Sequence, residues 1–105
     1  MITQDIVDRI IETISTAFRP RRIVVFGSQA RGDASDDSDL DLLVEMETDV
    51  SRREQACRIR RAFDPYPCPL DIVVYTPAEV KRWAQAPASL VATAFREGRI
   101  VYERN

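Results

Sequence analysis

Asp39 and Asp41 stand one residue apart at the head of the apolar run Leu40 to Val44, so on a strand both carboxylates project from one face. Ten residues separate Asp39 from Ser28, which follows Gly27 where another apolar run, Ile23-Val24-Val25-Phe26, stops. Paired carboxylates hold hard divalent cations, and Mg²⁺ prefers few of them together with substrate phosphates. At Gly27 the missing side chain admits a ligand to the backbone. Ser28 opens a short helical turn through Arg31, whose free N–H groups would point at an anion. Asp71, the one acidic residue within the apolar run Leu70 to Tyr75, can supply a third carboxylate to a two-metal site.

Each signal also has a plain structural explanation. Asp-x-Asp can be the solvated start of a strand, Gly-Ser an ordinary strand-to-helix turn, and Asp71 a carboxylate answering an arginine. The order of the parts is more specific than any one of them: strand, Gly-Ser turn, polar loop, paired Asp, third Asp on a further strand. Arg31 has two readings, contact with phosphate or pairing with a loop acid such as Asp33 or Asp36. Tyr75, on the same face as Asp71, either stacks a base or packs in the core.

The elements that must position these residues follow from periodicity. Ile6, Val7, Ile10, Ile11, Ile14 and Phe18 form one apolar stripe and predict a helix over Thr3 to Phe18, ended by Pro20. Arg22 to Phe26 reads as an interior strand because it is apolar on both faces. Asp39 to Glu45 reads as a second strand, with Asp39, Asp41 and Leu43 alternating against Leu40, Leu42 and Val44. Asp49 to Phe63 reads as a helix burying Ala56, Ile59 and Phe63, with Ser51 to Glu54 fitting a capping box. Its arginines, Arg53, Arg58, Arg60 and Arg61, form either a solvated face or a patch for RNA or an acidic partner. After the proline-rich connection Asp64 to Pro69 comes the strand Leu70 to Tyr75. Thr76-Pro77-Ala78-Glu79 then starts a helix running to about Gln85, and Ser89 to Glu97 forms another, stopped by Gly98. Ile100 to Tyr102 reads as an edge strand. The expected fold is α+β, a mixed sheet flanked by helices in the order αβ(α)βαβααβ, in a single domain over residues 1–105.

Composition narrows the chemistry. A net charge of −2 offers no global basic field for nucleic acid, although all but one of the fifteen basic residues are arginine. There is no histidine, which removes Ser-His-Asp and Cys-His catalysis and His-ligated zinc and leaves oxygen ligands for any metal. Cys57 and Cys68 are too few for a zinc site or a disulfide framework and read as buried free thiols, a single bridge between them being the alternative. No apolar run approaches the roughly 20 residues of a membrane span, and Asp5 and Asp8 interrupt the N-terminal isoleucines, so a cytoplasmic location is expected.

Gly27-Ser28-Gln29-Ala30-Arg31-Gly32 followed by Ser38-Asp39-Leu40-Asp41 resembles the Gly-Ser-x-Ala-Arg-Gly … Ser-Asp-x-Asp signature of minimal nucleotidyltransferases, in the DNA polymerase beta superfamily. The resemblance covers roughly residues 20 to 75. It implies that Gly27 and Ser28, with Arg31 beside them, bind the nucleotide triphosphate. It further implies that Asp39, Asp41 and Asp71 are the catalytic residues and the ligands of two Mg²⁺ ions, with ATP as substrate. Members of this branch are antitoxins paired with HEPN-domain toxins, so the expected acceptor is a toxin tyrosine that receives AMP. The short chain leaves no obvious acceptor-gripping domain, in keeping with a small acceptor or one brought by a partner. A binder that neutralises its partner by contact alone, and transfer to RNA or a small alcohol, are the rival readings.

Overall fold

The computed structural model describes residues 2–32 and 39–104. Helix α1 spans Gln4–Phe18, with the Thr3 side chain accepting from the Ile6 N–H and Arg19 adopting a left-handed cap. That cap follows from Pro20, which bars the α region to the residue before it. Strand β1 is Arg22–Phe26, the short helix α2 is Ser28–Arg31, and strand β2 is Leu40–Glu45. Helix α3 spans Arg52–Arg60, strand β3 Leu70–Tyr75, helix α4 Pro77–Trp83, helix α5 Leu90–Glu97 and strand β4 Arg99–Glu103. This is the expected element order, and the fold is α+β.

The four strands form one mixed sheet in the order β3-β2-β1-β4. β1 pairs antiparallel with β2 and β4, whereas β2 and β3 run parallel and are joined through α3. The two faces of β2 serve different cores. Leu40, Leu42 and Val44 face α1 and α3, where they pack with Ile10, Ile14, Ile59, Ile72 and Val74. Leu43 faces the other way and packs with Val24, Val80, Val91 and Ala94 beneath α4 and α5. Period-2 alternation puts Asp41 on that second face, and Asp71 joins it there with Val73 and Tyr75.

Several boundaries differ from the sequence expectation for local reasons. α3 is shorter than Asp49 to Phe63 because a turn precedes it, in which the Thr48 hydroxyl serves both the Val50 backbone and the Gln55 side chain. The chain leaves α3 through tight turns, with the N–H groups of Ala62 and Phe63 donating to the carbonyls of Ile59 and Arg60. Phe63 thus packs against the core from outside the helix. At Ser51 half of the expected capping box forms: its hydroxyl accepts from the Glu54 N–H, but the Glu54 carboxylate turns to Arg61. At Thr76 the box is complete, with Pro77 in the first turn. α4 ends at Trp83, short of Gln85, where the Ser89 hydroxyl donates to the Trp83 carbonyl and draws the chain into α5. Cys57 and Cys68 are free thiols, half-buried where full burial was expected.

Candidate active site

The site is assembled where the C-terminal end of β1 meets the N-terminal ends of β2 and β3. In the antiparallel ladder Phe26 pairs with Asp41, and in the parallel ladder Asp41 pairs with Asp71. Hydrogen-bonding neighbours in a sheet lie about 4.8 Å apart, so register alone sets the Asp41 and Asp71 side chains next to each other on one face. Asp39 lies two residues before Asp41 and is exposed, as is Asp71, while Asp41 is half-buried between them.

Gly27 closes the third side. Its backbone lies at φ 74° and ψ −155°, a conformation that L side chains rarely adopt. A Cβ there would overlap Asp41 Oδ2 and lie 3.1 Å from Asp41 Cγ. The backbone conformation therefore demands glycine at this position, and any side chain there would also displace the Asp41 carboxylate. In the turn that follows, the N–H groups of Ala30 and Arg31 both donate to the Gly27 carbonyl, and that of Gly32 donates to Ser28. Those of Ser28 and Gln29 have no partner of this kind among the described residues.

Electrostatically the site gathers like charge, with Arg31 as the opposing cation. Burial, then the carboxylates of Asp71 and Asp39, push the Asp41 carboxyl above its ordinary range, and Arg31 pulls in the opposite direction. Arg31 also approaches Glu97, at 3.9 Å. The sequence offered Asp33 and Asp36 as its partners; both lie outside the described residues. The Cys68 thiol is pushed up by burial and by Asp39, so the connection before β3 brings this half-buried sulfur to the edge of the same cluster. Nothing in the local sequence pointed to Cys68 or Glu97, because both arrive from distant elements. Tyr75 packs in the second core, yet it also carries the Arg52 guanidinium over its ring at 4.5 Å.

Among the described residues no three acidic side chains converge closely enough to form a finished metal cage. The donor set is nonetheless of the right kind for a hard cation: carboxylate oxygens only, mutually repelling, beside backbone that a phosphate can approach. Mg²⁺ completes its shell with water and substrate oxygens and needs only one or two protein carboxylates.

A mixed sheet with a Gly-Ser turn facing paired strand carboxylates defines the nucleotidyltransferase class of fold. The model of the nucleotidyltransferase domain family matches residues 7–104, and the chain belongs to that family. A crystal structure described as a "putative nucleotidyltransferase" from Sulfolobus solfataricus is similar, with 20% identity, a TM-score of 0.66 and coverage of 95% of this chain and 79% of that one. A structure described as a toxin-antitoxin with AMP-PNP is also similar, with 21% identity, a TM-score of 0.58 and coverage of 93% and 73%. At these identities the likeness is one of fold. No curated protein sequence matches the chain. No helix among the described residues is long and apolar enough to cross a membrane.

Proposed function

We propose that this domain transfers AMP from ATP to a hydroxyl with the aid of two Mg²⁺ ions, and that the acceptor is a tyrosine of a HEPN-domain toxin. In this reading the protein is a cytoplasmic antitoxin that silences its partner by adenylylation. The observation that carries the transfer is the in-register Asp41–Asp71 pair against the bare Cα of Gly27, with the Asp41 carboxyl pushed upward by burial and by its acidic neighbours. A fold that gathers three carboxylates against one nearby arginine makes a site for positive charge supplied from outside. When bound, the ions supply charge neutralisation at the phosphates.

The chain's own residues then have separate tasks. Asp39 and Asp41 would hold the ions, with Asp71 as a further ligand, and Asp71 accepts the proton of the acceptor hydroxyl at its carboxylate. Gly27 lets the triphosphate approach the backbone, and the Ser28 hydroxyl and the Ser28 and Gln29 N–H groups hold it. Arg31 draws negative charge to the mouth of the site. The acceptor oxygen forms a bond to the α-phosphorus as the bond to the bridging oxygen of pyrophosphate breaks, and pyrophosphate leaves.

The neighbour described as a toxin-antitoxin with AMP-PNP supports a toxin partner and an adenine nucleotide. The HEPN class and the tyrosine rest on the resemblance of the signature. The test is incubation with Mg²⁺, α-labelled ATP and a candidate HEPN-domain partner from a neighbouring reading frame, followed by mass spectrometry of the partner. AMP on a partner tyrosine is the expected result. Tight association with no label at any Mg²⁺ or ATP concentration would overturn the transfer reading in favour of neutralisation by contact.

A further inference from the structure

β3 is an edge strand, and its unpaired side opens into a groove of about 740 Å³ between the strand and α3. The carbonyls of Pro69 and Tyr75 accept from the N–H groups of Leu40 and Met46 at 2.9 and 3.0 Å. In a parallel ladder both backbone groups of a residue point the same way and alternate along the strand. Asp71 and Val73 therefore also face β2, and Leu70, Ile72 and Val74 turn their N–H and C=O groups towards the groove. No strand or side chain among the described residues bonds those of Ile72 and Val74, whose side chains pack in the first core.

The wall opposite is basic. α3 returns antiparallel to β3, as the Arg52 guanidinium over the Tyr75 ring shows, so Arg52 and Arg53 flank one end and Arg60 the other. Arg58 pairs with Asp49 at 3.2 Å and Arg61 with Glu54 at 3.4 Å. Arg53 and Arg60, which line the groove, have no carboxylate partner among the described residues. In a chain of net charge −2 these two cations are not part of a general basic surface. Asp71 is the one acidic side chain lining the groove, at the Arg60 end.

We propose that the groove beside β3 docks an extended, acidic segment of a partner protein, which adds to the sheet as a further strand and sets its carboxylates against Arg53 and Arg60. Main-chain pairing supplies attachment and the arginines supply selectivity, the division found where peptides add to sheet edges. A segment lying along β3 has its end at Asp71. That placement brings an acceptor hydroxyl on the segment to the carboxylates, and this one clause rests on the transferase reading.

Binding is measured without nucleotide or metal, so its outcome is independent of transfer. The probe is a six-residue peptide of alternating glutamate and threonine, matched to the six residues of β3, with a lysine–threonine peptide as counterpart. The acidic peptide is expected to shift the amide resonances of Ile72 and Val74 and to bind about tenfold more tightly than the basic one at low salt. Arg53→Glu with Arg60→Glu, both at a helix surface, should reverse that preference. Equal affinity for the two peptides, or shifts confined to other strands, would overturn the proposal. So would absence of binding accompanied by self-association of the double variant, which would make the arginines guards of a bare edge. Labelled-ATP transfer that persists after binding fails would leave the activity standing and sink only the docking site.

Discussion

Gly27→Ala tests the geometry of the site at its tightest point. The backbone at φ 74° and ψ −155° lies in a region occupied almost solely by glycine, and holding another residue there costs about 1–3 kcal/mol. The steric part is separate. The new methyl would overlap Asp41 Oδ2 and stand 3.1 Å from Cγ and 3.4 Å from Cβ. A carboxylate at the end of a rotatable side chain can swing aside, so that overlap displaces Asp41 more than it unfolds the domain. The expected loss of stability is therefore mostly the conformational cost, with a smaller part for displacing the carboxylate. At about 4–8 °C per kcal/mol for a domain of this size, the melting temperature should fall by about 5–20 °C.

A double-mutant cycle separates the two effects by urea denaturation. In an Asp41→Ala background only the Asp41 Cβ remains near the new methyl, at 3.4 Å, an ordinary contact. The backbone cost should persist there and the steric cost vanish, giving a coupling of at least about 0.5 kcal/mol. Nucleotide with Mg²⁺ should stabilise the wild type by linkage and give little or no stabilisation of Gly27→Ala even where it is fully folded. A Gly27→Ala variant as stable as wild type would refute the conformational argument. A cost identical in both backgrounds would refute the contact with Asp41.

The Asp41 carboxyl sits above its ordinary range in the fold, so between its unfolded and folded pKa values the native state binds more protons and stability falls as pH rises. Asp41→Asn should consequently be more stable than wild type in the ligand-free protein at neutral pH, lose that advantage below about pH 4, and transfer no AMP. Denaturation from acid to neutral pH checks this, and a destabilised variant at neutral pH would contradict it. Arg22→Met should destabilise by about 3–5 kcal/mol, the cost of leaving a buried carboxylate without its partner, because Glu45 is 1% exposed and Arg21 approaches it only to 3.8 Å. Adding Glu45→Leu should recover most of that loss, and an Arg22→Met variant within experimental error of wild type would show that Arg21 suffices. Thr76→Ala should cost about 0.5–2 kcal/mol through loss of the capping box, with a smaller loss tolerated only if Glu79 keeps its bond to the Thr76 N–H.

Much of this architecture is legible in order along the chain because each segment carries its own period. The stripe Val7, Ile10 and Ile14 is the buried face of α1, and the alternation about Leu42 sorts β2 between two cores. Contacts made across the sheet are not legible in that way. The antiparallel meeting of Phe26 with Asp41 and the parallel meeting of Asp41 with Asp71 depend on strand order, which local periodicity does not encode. Asp71 could be chosen because a carboxylate inside an apolar strand conflicts with its surroundings. Glu45 ends its strand, where a charge is ordinary, and its burial follows only once Arg22 is seen beside it and Tyr75 across the ladder. Helix ends depart from the periodic pattern where side chains such as those of Thr48 and Ser89 capture backbone groups in turns.

β2 carries acidic groups at both ends, and the fold treats them in opposite ways. Glu45 is the more deeply buried, yet Arg22 bonds it directly, Arg21 lies nearby, and the Arg22 guanidinium is held above Phe95 at 4.8 Å. The bond to Glu45 in turn raises the Arg22 pKa, as expected of charges that answer each other. Asp41 is less buried, and its nearest charged neighbours on the sheet are two more carboxylates. Arginines abound in this chain, so the sequence had the means to neutralise both ends. A strand that binds its acid internally at one end and leaves it opposed at the other has a structural charge and an outward-directed one. The second stands against a glycine where any side chain would displace it, and there the physical argument for a cation and a phosphate is strongest.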